Sequence, residues 1–222
     1  MWMDEGMNTF INGYASNSFN YGEYGDTTNR SILGMARAMT RSKDPLMTPP
    51  ESIALSDYGQ YYFKTATGLN MLRNSVIGPD RFDYAFRTYV NRWAFKHPQP
   101  NDFFRSMNDA AGDNLNWFWK EWFYETWELD QSVKGVKYVN DSAANGALIT
   151  IENLQEMVMP VIIKITEKNG NTQEIKLPVE IWQRGGEWTF KYNSTTPVTL
   201  ISLDPHGELP DINRKNNSWE SK

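Results

Sequence analysis

The sequence has 222 residues and a formal net charge of −5, which is enough for one large domain or two small ones with their own cores. Its 22 Lys and Arg are scattered among 27 Asp and Glu without a basic block, which argues against a nucleic-acid-binding protein. The absence of cysteine excludes a disulfide framework and a thiol nucleophile, and no apolar run is long enough to cross a bilayer.

Between Asp4 and about Thr126 the apolar residues recur at the spacing of an α-helix. Asn101 and Asp102 follow a proline and are good capping residues for one of these helices. The apolar stripes comprise Met7, Phe10, Ile11 and Tyr14; Ile32, Leu33, Ala36 and Met39; Ala66, Leu69, Leu72 and Val76; Phe82, Phe86, Tyr89, Val90 and Trp93; Phe103, Phe104, Met107 and Ala111; and Leu115, Phe118, Trp119, Trp122 and Phe123. The pattern predicts an all-helical domain over residues 1–128.

Near Leu129 to Val133 the period of the apolar residues changes from 3.6 to 2, which is the clearest domain boundary in the sequence. Short alternating segments separated by Gly- and Asn-rich turns then predict a small antiparallel β-sandwich over residues 129–205. Residues 206–222 are polar and have no period, which predicts an exposed tail. The fold class is therefore α+β with more than one domain. The alternating segments contain Ala147, Ile149 and Ile151; Val161, Ile163 and Ile165; Trp188, Phe190 and Tyr192; and Val198 and Leu200.

Few residues suit catalysis. The two histidines, His97 and His206, are too far apart for a helical two-histidine metal motif, and each is interpreted as a solvent-facing turn residue. There is neither a G-x-S-x-G serine elbow nor a glycine-rich phosphate loop. Glu5 is the remaining candidate. From spacing alone, Asp4 and Glu5 are explained by the helix dipole, which favours negative charge in a first helical turn.

The first stretch, "WMDEGMNTF", resembles the Trp-x-(Asn or Asp)-Glu-Gly segment of the gluzincin zinc aminopeptidases, the family typified by aminopeptidase N. In that family a His-Glu-x-x-His helix supplies two zinc ligands and the general base, and the later Glu is the third ligand. The resemblance implies that Glu5 is this metal ligand, in the helical C-terminal lobe of a thermolysin-like catalytic domain. It also implies hydrolysis of peptides by a zinc-activated water.

A second stretch, "YYFKTATGLNMLRNSVIG", is similar to the family's Tyr-x-Lys-Gly helix, whose tyrosine donates a hydrogen bond to the oxyanion of the tetrahedral intermediate. Tyr62 occupies that position and is implied to be the catalytic tyrosine. Thr65 replaces the usual Gly, so Tyr61 remains an alternative.

The resemblance continues through the His-Pro loop, the Trp-rich helix, the sandwich and the closing "SLDPHGELPDINRKNN", although Trp127 and Glu128 replace a common Gly-x-Pro. No His-Glu-x-x-His is present. We therefore expect a C-terminal fragment of a zinc metallopeptidase whose partner is the absent N-terminal segment. Zinc belongs to the complete enzyme, and this chain alone should bind it weakly and be inactive. Exported relatives make a periplasmic location plausible.

The helices bearing Glu5 and Tyr62 should each present a face that the absent segment would cover, so they should expose an apolar, aromatic patch through which the chain self-associates. The aromatic content, 14% of the chain with nine Trp, leaves a second possibility open. The alternative function is a non-catalytic module that binds peptides or glycans through exposed aromatic side chains. Convergence of Glu5 and Tyr62 on one cleft would favour the peptidase.

Overall fold

A computed structural model describes residues 1–23 and 31–221, without the side chains of Asn20, Ser31 and Leu33. Leu33, predicted to face inward, and Lys222, the end of the predicted tail, are therefore outside what is described. The chain divides into two compact units, Met1–Trp127 and Glu128–Lys222.

The first unit is helical. Pro79 and Pro100 occupy first-turn positions of helices. A backbone N–H there has no acceptor within the helix, so proline costs no hydrogen bond. The backbone N–H of Gln99 donates to the Asp102 carboxylate at 2.8 Å. Gln99, rather than Asn101, is therefore the N-cap residue of the helix that begins at Pro100. The helices are α1 (Trp2–Ser18), α2 (Ser31–Met39), α3 (Tyr58–Met71), α4 (Pro79–Trp93), α5 (Pro100–Ala111) and α6 (Asn116–Trp119), with α3 and α6 continuing as π-helical turns over Leu72–Val76 and Lys120–Tyr124.

Most predicted inward positions of these helices form an aromatic core. Phe82, Phe103, Phe118 and Trp122 are fully or almost fully buried, whereas Ile11 and Val90, each 44% exposed, lie outside the core, in contrast to the prediction. None of the helices within the described ranges is long and apolar enough to span a membrane.

The second unit contains two antiparallel sheets whose inner faces share one hydrophobic core. Ala147, Ile149 and Ile151 alternate inward from one sheet, and Val161, Ile163 and Ile165 from the other, and all six are fully buried. One sheet has the order β1 (Gln131–Tyr138), β2 (Ala147–Asn153), β5 (Glu187–Tyr192), and the other has the order β4 (Thr172–Leu177), β3 (Val161–Glu167), β6 (Val198–Leu203), β7 (Ser218–Glu220).

Two strands depart from the predicted alternation. In β5, Trp188 was expected inside with Tyr192 but is 36% exposed, and the second departure is in β6. Leu200 was expected inside with Val198, but it is 37% exposed and Ile201 is buried instead. The pairing of β3 with β6 contains an irregularity at Thr166/Glu167, and an extra residue in one strand moves the following side chains to the opposite face.

The prediction of an exposed polar tail is wrong. Leu209, Asp211 and Asn217 are buried, and the segment returns to the sheet as β7. The Asp211 carboxylate accepts hydrogen bonds from the backbone N–H groups of Gln131 and Asn213, each at 2.8 Å. The polar residues of this segment are therefore partners for buried backbone groups, which a search for apolar periodicity does not detect.

Candidate active site

Glu5 lies in the first turn of α1, which is fixed by the aromatic side chain that begins the helix. Trp2 is buried, stacks on Phe104 with ring centroids 5.6 Å apart, and contacts Phe123 at 4.5 Å. The Glu5 backbone N–H donates to the Met1 carbonyl at 3.0 Å. The Glu5 side chain itself is only partly buried, so its carboxylate remains accessible to solvent.

The next residue, Gly6, allows α1 to lie directly against α3. A Cβ atom on Gly6 would be 2.3 Å from the Thr65 Cβ and 2.6 Å from the Tyr61 carbonyl oxygen, both far below van der Waals contact. Only glycine permits backbones to approach this closely. The Gly6 crossing therefore determines which α3 side chains lie beside Glu5.

Tyr62 is the α3 side chain that reaches Glu5. The hydrogen bond with the Glu5 carboxylate is the main cause that raises the pKa of the Tyr62 hydroxyl, with desolvation and the negative charges of Glu5 and Asp4 adding to it. The Tyr62 side chain is partly buried and Phe63 beside it is 58% exposed. The structure thus brings together the two residues that the resemblance singled out, on facing helices and within reach of solvent.

Tyr61, the alternative tyrosine, points into the protein instead. Its side chain is 1% exposed, its hydroxyl donates to the Pro45 carbonyl at 3.1 Å, and burial raises its pKa. A phenol held in the core by a backbone partner is unsuited to contact with a substrate. Of the two tyrosines, Tyr62 is the one that fits the site.

The lysine of the Tyr-x-Lys-Gly match, to which the sequence assigned no role, links α3 to the Trp122–Glu125 segment. The buried Lys64 Nζ donates to the Glu125 carbonyl at 3.3 Å, and Trp122 Nε1 donates back to the Lys64 carbonyl at 2.9 Å. Gly68 provides the space, since a Cβ there would lie 2.0 Å from Trp122 Nε1. Burial lowers the pKa of Lys64 to about 8. The small residues of "KTATGLN" were the available signal for this close packing.

The histidines do not contribute to this site. His97 is exposed, and His206, in the second unit, is exposed with its Nε2 3.0 Å from the Glu174 carboxylate. In the described part of the chain, no three His, Cys, Asp or Glu side chains are grouped so that they could hold a metal ion. Glu5 alone does not fit the three-ligand set that a catalytic zinc requires.

Comparisons with known proteins identify the fold and the family of the chain. The chain is similar to the crystal structure of Legionella pneumophila aminopeptidase A in complex with aspartic acid, with a TM-score of 0.63 and 16% sequence identity. The match covers 95% of this chain and 23% of that chain, so this sequence spans less than a quarter of that protein. At this identity the likeness shows the fold, and it confirms the predicted helical domain followed by a β domain.

A search of curated proteins found no match. The family model described as "Peptidase family M1 domain", in contrast, matches residues 1–122, which is more than half of the chain. This match includes both Glu5 and Tyr62 and confirms the resemblance to the gluzincin aminopeptidases. The chain belongs to peptidase family M1.

Proposed function

We propose that this chain supplies part of the active site of a zinc metallopeptidase that resembles aminopeptidases, with Glu5 as a metal ligand and Tyr62 as the oxyanion donor. The observation that carries the proposal is the close crossing of α1 and α3 at Gly6, which places the Glu5 carboxylate near enough to the Tyr62 hydroxyl to raise its pKa. Peptides are the substrate class that the family match supports.

The protonation of Tyr62 suits this role. Because its pKa is raised above the ordinary value of 10.0, the phenol keeps its proton at neutral pH and can donate a hydrogen bond. A donor aimed at a developing oxyanion accelerates acyl transfer by roughly 10²- to 10³-fold. Glu5 is the acceptor that raises the pKa of Tyr62, so the proposed role requires the Tyr62 hydroxyl to turn from Glu5 to the substrate oxygen.

The two histidine ligands and the general base of such a site would come from a His-Glu-x-x-His segment, which this sequence does not contain. One carboxylate holds zinc weakly, since catalytic sites use three protein ligands. The proposal therefore includes the expectation that the 222-residue chain alone does not hydrolyse peptides.

Two assays test the proposal. The purified chain with added zinc should hydrolyse alanine p-nitroanilide no faster than its Glu5→Ala variant, and turnover above that control would contradict the expected inactivity. A polypeptide that joins this chain to the His-Glu-x-x-His part of a family M1 enzyme tests the roles themselves. There, Tyr62→Phe should lower kcat roughly 10²-fold or more with little change in KM, whereas Tyr61→Phe should have little effect. Equal activity of Tyr62→Phe and the parent polypeptide would refute the role of Tyr62.

The alternative, a binding module with exposed rows of aromatic side chains, receives less support. Phe118, Trp119 and Trp122 are buried at 2% exposure or less and belong to the core. Glu5 and Tyr62 converge instead of occupying separate surface positions, which favours the peptidase.

A further inference from the structure

A groove on the first unit lies apart from the Glu5–Tyr62 pair. It runs between α5 and the helical segment Asn116–Tyr124 and has a volume of about 590 Å³. None of its lining residues belongs to α1 or α3. The volume falls within the usual range of small-ligand sites, roughly 300–1,000 Å³.

The floor of the groove is rigid. Phe104 and Trp119 stack with ring centroids 4.9 Å apart and are 5% and 2% exposed. Asn108 accepts a hydrogen bond from Trp119 Nε1 at 2.7 Å, and its amide donates to the Asn116 carbonyl oxygen at 2.9 Å. Because these side chains already have partners, they need little further ordering when a ligand binds.

The walls carry four charged side chains, two of each sign: Arg105 and Lys120, Asp109 and Glu125. Within the described residues none of the four forms an ion pair. Lys120 has only its ammonium over the Trp127 ring, at 4.9 Å from the centroid. The groove thus offers unpaired charges of both signs beside amide side chains.

We propose that this groove binds a short zwitterionic peptide. Arg105 and Lys120 receive the terminal carboxylate, Asp109 and Glu125 receive the terminal ammonium group, and the amide of Asn101 bonds to the peptide backbone between them. Amide side chains match peptide groups because both carry one acceptor and donor N–H groups. The inference does not depend on the proposed function.

A glycan fits the groove less well than a peptide. Sugar rings are typically held on exposed aromatic faces, and the faces of Phe104 are covered by Trp119 on one side and Trp2 on the other. Tyr124, 42% exposed, is the lining aromatic residue with substantial open area. Four charged groups are also more than an uncharged sugar requires.

The test is a titration of the full 222-residue chain, labelled with ¹⁵N, with unblocked trialanine. The Trp119 indole N–H and the Asn101 amide should show saturable shifts at weak, millimolar affinity, and the peptide signals in the same sample report that it stays intact. N-acetyl-trialanine lacks the ammonium group and should bind more weakly, and N-acetyl-trialanine amide, which lacks both charges, weaker still.

Matched variants separate the two charges. Arg105→Gln should weaken trialanine and N-acetyl-trialanine alike, by roughly two- to five-fold, the range for an exposed ion pair. Asp109→Asn should weaken trialanine only. Arg87→Gln, which removes an exposed arginine of α4 outside the groove, should change neither. No saturable shift, equal binding of the neutral peptide, or maltose shifting these resonances in place of trialanine would each overturn the inference.

Discussion

Replacing Gly6 by alanine should separate α1 from α3 and thereby disrupt the candidate site. The added Cβ would lie 2.3 Å from the Thr65 Cβ, whereas ordinary contact begins near 3.4 Å, so the helices must move apart by about 1 Å. The second close atom, the Tyr61 carbonyl oxygen at 2.6 Å, belongs to the backbone and cannot rotate away. Overpacking of this kind costs about 3 kcal/mol at the upper end of its usual range.

Alanine also has a higher helix propensity than glycine, which offsets about 1 kcal/mol of this loss in unfolding free energy. The net loss is therefore about 2 kcal/mol. With a typical slope of about 2 kcal/mol per molar urea, the unfolding midpoint of the helical unit, followed by Trp fluorescence, should fall by about 1 M.

Gly59→Ala is the matched control, because Gly59 lies in α3 and no atom would be within 4 Å of the new Cβ. This variant should keep or raise the midpoint by up to about 0.5 M, given a propensity gain of up to about 1 kcal/mol. If Gly6→Ala and Gly59→Ala have the same midpoint, the close crossing of α1 and α3 is wrong, and with it the physical basis for the Glu5–Tyr62 pair.

Three other predictions concern single side chains. Zinc binding by the isolated chain, measured by calorimetry, should be weak and should be reduced further by Glu5→Ala but not by Asp4→Ala; equal effects of the two variants would argue against Glu5 as a ligand. The difference in unfolding free energy between the wild type and Lys64→Met should shift in favour of the wild type as the pH rises from 8 to about 10.5. In this range Lys64 is deprotonated in the folded state but still protonated in the unfolded state, so raising the pH stabilises the folded state. A difference that does not change with pH would contradict the lowered pKa of Lys64. The exposed apolar side chains of Phe63 and Tyr58 on α3 should promote self-association, so sedimentation velocity should show concentration-dependent dimers that Phe63→Ser reduces; a monomer at all concentrations would refute this.

The helices were predictable because their buried stripes follow the helical period closely. Phe82, Phe103 and Phe118 are examples, since each lies on a predicted apolar face and each is buried. The π-helical turns Leu72–Val76 and Lys120–Tyr124 were not predictable, because the inward faces before and after them continue with almost the same spacing.

The burial of the C-terminal segment could not be predicted from the periodicity of its apolar residues. Asp211 and Asn217 are polar and have no apolar repeat around them, yet they are buried as partners of backbone and side-chain groups. A buried hydrogen-bonding role depends on residues that are distant in sequence, in this case Gln131 at the start of β1.

The candidate site was predicted as residues but not as an arrangement. The resemblance singled out Glu5 and left Tyr61 and Tyr62 open, since adjacent helix positions point about 100° apart and the sequence does not say which one faces α1. The Gly6 crossing resolves this geometrically, because it directs Tyr62 to Glu5 and Tyr61 to the Pro45 carbonyl. Lys64 was recognised as the lysine of the Tyr-x-Lys-Gly motif, but its packing role was not predicted because it depends on the Glu125 carbonyl, far away in the sequence.

The most direct test of the central claim, that Glu5 and Tyr62 are partners in one site, is the titration of Tyr62 followed by NMR of tyrosine labelled with ¹³C at Cζ. In the wild type the pKa of Tyr62 should lie above its ordinary value of 10.0, and Glu5→Gln should lower it toward that value, since the hydrogen bond with the carboxylate stabilises the protonated phenol. Asp4→Asn should have a smaller effect. If Tyr62 titrates identically in the wild type and in Glu5→Gln, the two side chains are not partners and the proposed active site is wrong.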